Sequence, residues 1–141
     1  MTVTARIKMK ICDYGNGKLV NIKFEDGTIS NLLYNGIKTS TTRLEKKGEV
    51  GDWFSFKGNG YSINKITETT VLIACADYYY KEGYNSSQDM LNDLIRLYPN
   101  LIINDPSDGK GMGIKSSVVY VHEFYQVTYA CYDALMKGEL K

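Results

Sequence analysis

Ile11–Tyr34, ICDYGNGKLVNIKFEDGTISNLLY, is the stretch whose reading decides the fold. Gly15-Asn16-Gly17 and Asp26-Gly27 are turn signals, because glycine reaches positive φ at little steric cost. Between them Val20, Ile22 and Phe24 alternate with Leu19, Asn21, Lys23 and Glu25, the period-two pattern of a half-buried strand. Ahead of the first turn, Ile7, Met9 and Ile11 alternate with Lys8, Lys10 and Cys12. After the second, Ile29, Leu32 and Tyr34 read as a further apolar strand, irregular near Asn31. The expectation is a three-stranded antiparallel meander.

Working outward, Thr39–Lys47 is polar and basic and suits a loop or an edge segment. Val50–Gly60 carries Trp53, Phe54 and Phe56 before Gly58-Asn59-Gly60, and Tyr61, Ile63 and Ile66 form the return strand. Strands between Arg6 and Ile66 would curl into a small barrel or a strongly bent sheet. Beyond Thr67 the spacing turns helical. Val71, Leu72, Cys75, Tyr78 and Tyr79 precede Gly83 as a cap, although β-branched density over Thr69–Ala74 also suits a strand. Ser86 or Ser87 caps a helix through Tyr98, stopped by Pro99. Leu101–Ile103 reads as a short buried strand or anchor and Asn104–Lys115 as irregular. Ser116–Lys137 reads as a long helix, with Val118, Val121, Phe124 or Tyr125, Thr128, Cys131 or Tyr132 and Leu135 on one face. The predicted class is therefore α+β: an N-terminal antiparallel meander or small barrel over 1–66, then two or three helices over 67–141, the last one long. The two parts would pack as one compact domain.

With 141 residues, 43% hydrophobic content and 12 tyrosines, the chain can bury one core. A net charge of +1 argues against a strongly electrostatic DNA binder. Cys12, Cys75 and Cys131 lack Cys-x-x-Cys or histidine-ligand spacing, which predicts reduced, buried thiols. Met1-Thr2-Val3-Thr4 is no apolar signal, and Val71–Ala76 is too short to span a bilayer, so a soluble, cytoplasmic protein is expected.

The stretch Leu19-Val20-Asn21-Ile22-Lys23-Phe24-Glu25-Asp26-Gly27-Thr28-Ile29, with Asp13-Tyr14 before it and Tyr34 and Lys38 after, resembles a short β repeat of small phage and prophage proteins. The Asn-Cys-Gly lead-in of that repeat is absent, and the repeat occurs once. The resemblance implies a phage or prophage origin and residence in the host bacterial cytoplasm. A β core followed by helices is also similar in style to phage anti-defence proteins of the Thoeris-inhibiting kind.

Asp108–Ser117 is the strongest candidate site. Gly111 and Gly113 let backbone N–H groups approach a ligand, Lys110 and Lys115 add charge, and Ser116 opens the expected helix. Together they form an anion cradle, though not with Walker spacing; the same residues suit a surface loop with an ordinary serine cap. Tyr78, Tyr79 and Tyr84 could stack a base or simply pack the core. Arg43, Lys46 and Lys47 suit nucleic-acid phosphates or a solvated loop. His122 and Glu123, adjacent on an expected helix, would not share a face. No catalytic set, cofactor motif or metal cluster is legible. The functional expectation is a non-enzymatic counter-defence protein, a homo-oligomer that sequesters a phosphorylated, nucleotide-like immune signal. The alternatives are an inhibitor of a host defence nuclease, of the anti-CRISPR kind, and a DNA-binding accessory module.

Overall fold

The computed structural model describes residues 17–25, 28–103 and 117–137. The strand expected over 7–12, the turn residues Gly15-Asn16 and Asp26-Gly27, and the loop 104–116 lie outside them. In chain order the elements are α1 (Thr28–Tyr34), β1 (Ser40–Arg43), β2 (Trp53–Phe56), β3 (Asn59–Thr70), α2 (Val71–Tyr78), α3 (Ser87–Leu97), β4 (Val118–Gln126) and α4 (Tyr129–Met136). Helices are thus interspersed with strands, and β4 follows three of them. The expected sheet-then-helices order and the long final helix are both overturned.

Two local readings fail for physical reasons. Ile29–Tyr34 is helical because Ile29, Leu32 and Leu33 stand at i, i+3 and i+4, so one helical face carries all three. Gly36, at φ 72°, ends that helix, and the Ile37 N–H reaches Leu32 O at 2.9 Å. The segment 18–25 keeps its alternation without a meander. Ile22 is buried with Val20 and Phe24 packed nearby, but among the described residues the segment pairs only through the bridge Leu19–Trp53. In Ser116–Lys137, VVYVHEFYQ matches helical spacing and period two together. Its β-branched and aromatic density favours the strand, and helix resumes only at Tyr129.

The described strands pair antiparallel in the order β1-β4-β3-β2 and curl into a half-barrel. Strand β4, from late in the chain, lies between β1 and β3. Both sheet faces are covered. On one, Val119 and Val121 meet Val71, Ala74 and Cys75 of α2 and Met90 and Leu94 of α3. On the other, Phe54, Tyr61, Ile63 and Phe124 pack with Ile22 and Leu33. The register shifts between Ile63, opposite Phe124, and Lys65, opposite Glu123. That bulge returns Ile66 to the Ile63 face, opposite His122.

Helix α2 starts directly at the end of β3, which satisfies both readings of Thr69–Ala74 in turn. Ser86 Oγ accepts the Asp89 N–H at 3.1 Å and caps α3 as expected. Cys75 is free and buried, its thiol pushed up to about 11 by burial and then by the Glu82 charge. Cys131 is disulfide-bonded, contrary to the expectation of reduced thiols throughout. Among the described residues, no helix is long and apolar enough to cross a membrane.

Candidate functional site

Strand β1 is one edge of the half-barrel, and its outer backbone donors are met by the turn after α2. Lys81 O accepts the Ser40 N–H at 3.1 Å, and Glu82 Oε1 accepts the Thr42 N–H at 3.3 Å. Gly83, at φ 88°, makes that turn, and Tyr84 N–H closes onto Tyr79 O at 3.0 Å. The Thr42 hydroxyl donates to Glu82 Oε2, so both oxygens of this buried carboxylate are engaged by one residue.

Lys38 enters from the other side, where the chain leaves α1 for β1. It is 5% exposed, with Nζ 3.7 Å from Glu82 Oε1 and donating to Glu82 O at 3.4 Å. Burial pulls its ammonium below the ordinary lysine range, the Glu82 charge opposes this, and Arg43 adds to it. A buried carboxylate held by both a buried lysine and a buried hydroxyl is not demanded by packing, since apolar side chains would fill the space without desolvating charges.

These residues line a cleft of about 380 Å³ between β1, α3 and the segment 23–25. Phe24 forms one wall, with the Arg43 guanidinium 5.1 Å and Lys38 Nζ 5.8 Å from its ring centroid. Tyr84 forms another, and its hydroxyl donates to Asp93 Oδ2. Burial, then that carboxylate, raises the Tyr84 phenol. Arg96 bonds Asp93 at 2.6 Å and Glu25 at 3.2 Å, joining α3 to the segment across the mouth. Exposed pairs of this kind add little stability.

Of the candidate site residues read from the sequence, Tyr84 and Arg43 reach this cleft. Tyr78 and Tyr79 pack against the α2–α3 core, with Tyr78 OH donating to Thr67 Oγ1 at 3.5 Å. Lys47 lies on a neighbouring cleft, whereas Lys46 pairs with Glu49 at 2.9 Å. Lys110, Gly111, Gly113, Lys115 and Ser116 lie outside the described residues. Sequence reading passed over Lys38, Thr42 and Glu82 as site residues. Their only signals were a lysine entering a threonine-rich strand and a glutamate just before a capping glycine.

His122 and Glu123 occupy a strand, so they point to opposite faces. Glu123 meets Lys81 at 2.7 Å. His122 is fully buried, with Nε2 accepting the Lys47 N–H at 2.9 Å and Nδ1 donating to Thr41 O at 3.2 Å. Burial lowers its pKa, and the Arg43 and Lys47 charges act in the same direction. A neutral buried imidazole stabilises the fold fully above the ordinary value of 6.5, and this is lost as pH falls through the lowered folded value. Urea midpoints measured from pH 7 to pH 4 should therefore fall more steeply for the wild type than for His122→Gln; equal slopes would remove this account. Among the described residues, no group of three His, Cys, Asp or Glu side chains could hold a metal ion.

No protein-family model and no curated protein matches the sequence. Among solved structures, the chain is similar to a high-resolution crystal structure of an ASCH domain from Lactobacillus crispatus. The TM-score is 0.56 at 12% identity, over 89% of this chain and 92% of that one. The fold is that of an ASCH domain. This shared fold replaces both expected resemblances. Ile11–Lys38 does not form the phage hairpin repeat, since α1 occupies its second half. The β-core-then-helices style of the Thoeris-inhibiting proteins is absent as well, because β4 completes the ASCH half-barrel from the C-terminal side.

Proposed function

We propose that the cleft binds a small carbonyl compound and hydrolyses its amide or ester bond, with Lys38, Glu82 and Thr42 as the working groups. The observation that carries this reading is the buried Lys38–Glu82 contact at the base of an open cleft. A lysine with a lowered pKa is a better proton donor near neutrality, and a carboxylate beside it can accept a proton from water. Thr42 holds the carboxylate through its hydroxyl and its N–H.

In the proposed reaction, water attacks the carbonyl carbon and gives its proton to Glu82. The tetrahedral oxyanion forms near the Lys38 ammonium. As the bond to the leaving nitrogen or oxygen breaks, Lys38 protonates that atom. Proton return from Glu82 to Lys38, across the 3.7 Å contact, restores both groups. The ASCH fold supports a site that acts on, or binds, RNA or its components, since the fold class combines RNA-binding and enzymatic possibilities.

The test is a panel of N-acyl and O-acyl compounds, nucleosides among them, followed by mass spectrometry. Lys38→Met keeps the length of the side chain and removes its proton. Turnover of at least one member, reduced about 10²-fold or more in Lys38→Met, is the expected result. Ligand binding without turnover would leave the sequestering role read from the sequence. Turnover unaffected by Lys38→Met would overturn the assignment.

A further inference from the structure

At the base of the cleft Lys38 is 5%, Thr42 4% and Glu82 5% exposed. A carbonyl compound must touch Lys38 and Glu82 to react, so one wall of the cleft has to move. Most walls are fixed. Strand β1 is paired to β4 on one side and bonded to the turn at Lys81-Glu82 on the other. Helix α3 buries Met90 and Leu94 in the core, and α1 buries Leu33.

The wall made by residues 23–25 differs. Upstream, residues 17–20 are tied to the chain at the start of β2. Gly51 O accepts the Gly17 N–H at 3.0 Å, Lys18 O accepts the Trp53 N–H at 3.1 Å, and Trp53 O accepts the Val20 N–H at 2.8 Å. Beyond Val20, among the described residues, no backbone-to-backbone hydrogen bond holds residues 21–25. Ile22, 4% exposed, is their foot in the core. The rest hangs on side chains. Arg43 Nη2 donates to Lys23 O at 2.8 Å, the Phe24 ring meets Phe56 edge-on at 5.4 Å, and Arg96 grips Glu25 with two bonds of 3.2 and 3.3 Å. The Arg96 and Glu25 side chains are 56% and 57% exposed, the setting in which an ion pair is weak and screened by salt. Asp93 holds Arg96 from its own helix at 2.6 Å, so the arginine keeps a partner when Glu25 leaves.

We infer that residues 23–25 are a gate over the Lys38–Glu82 cleft, latched by the two-pronged Glu25–Arg96 pair and released to admit substrate. The gate regulates the site of the hydrolytic reading and rests on that cleft being where substrate enters. Ile22 is the pivot, and Phe24 travels with the gate. Because the latch is an exposed ion pair, ionic strength sets the fraction of molecules that stand open.

The experiment measures access to Lys38 directly and needs no substrate. The whole chain is treated at one fixed pH with N-hydroxysuccinimidyl acetate, a small uncharged acylating reagent, and acetylation of each lysine is timed by mass spectrometry. Lys65, with a side chain 65% exposed, is the reference; Lys81, bonded to Glu123 away from the cleft lining, is the control for general loosening. Glu25→Gln keeps the length of the side chain and removes its charge. The charges that act on the Lys38 ammonium are those of Glu82, Arg43 and Asp93, so this variant changes access and not basicity. The ratio of the Lys38 rate to the Lys65 rate should rise about two- to fivefold in Glu25→Gln, the population shift of losing one exposed ion pair, with the Lys81 ratio unchanged. Wild type should show a similar rise between about 0.02 and about 0.5 M salt, and the variant much less. Equal Lys38 ratios in the two proteins, including a Lys38 inert in both, overturn the inference. So does a rise at Lys81 that matches the one at Lys38, or an equal salt response in both proteins. Turnover of acyl compounds is assayed separately, so the gate and the hydrolytic reading fail independently.

Discussion

Glu82→Gln should lower the turnover number of the hydrolytic reaction by about 10²- to 10⁴-fold, the usual contribution of a positioned general base. The substitution preserves shape and leaves one oxygen to accept from Thr42. What it removes is the ability to take a proton from water and to return it to Lys38. The pH profile offers a second signature. Lys38 must be protonated to donate, so activity should fall on the alkaline side, below the ordinary lysine value of 10.5, because burial lowers its pKa. The Glu82 charge is the leading influence in the opposite direction. Removing it should move the alkaline limb to still lower pH in whatever activity remains. A variant within threefold of the wild type, or an unmoved limb, would show that Glu82 is only a structural carboxylate.

Phe54→Ala should destabilise the fold by about 3–5 kcal/mol in urea denaturation, the range for deleting a buried phenylalanine. Phe54 is fully buried in β2. Its ring stacks on Tyr61 at 5.2 Å and meets Phe124 edge-on at 5.0 Å, joining β2, β3 and β4. Phe24 lies 5.8 Å away and completes the cluster from the strap-like segment 18–25. The half-buried Phe24 should cost less when truncated to alanine. A loss under about 1 kcal/mol for Phe54→Ala would mean that the ring cluster is not the centre of this core.

Much of the middle of the chain was legible. Trp53–Phe56 and the return strand from Asn59 follow from aromatic alternation around a glycine turn, and α3 follows from Ser86, the Met90–Leu94 face and Pro99. The apolar face of Val20, Ile22 and Phe24 was also real, but alternation specifies a buried face and not a pairing partner. Val118–Gln126 was misread because that run satisfies both periodicities, and Ile29–Leu33 because its helical i, i+3, i+4 spacing reads as an irregular alternation. Local propensity and long-range pairing then decide. The pairing of β4 between β1 and β3 spans most of the chain and leaves no local trace. The same holds for the site. Lys38, Thr42 and Glu82 are separated by up to 44 residues and meet only through the β1 edge and the turn at Gly83.

An open half-barrel has a problem that a closed one avoids: its outermost strand can recruit a strand from another molecule. Here the row of donors on β1 is occupied from within, by Lys81 O at Ser40 and by the Glu82 carboxylate at Thr42. The group assigned to the chemistry is therefore also a stopper against intermolecular sheet growth. Glutamine at position 82 still supplies an oxygen to that N–H, whereas alanine leaves the donor bare. Solubility and reactivity are thus coupled through a single side chain, and the two replacements separate them.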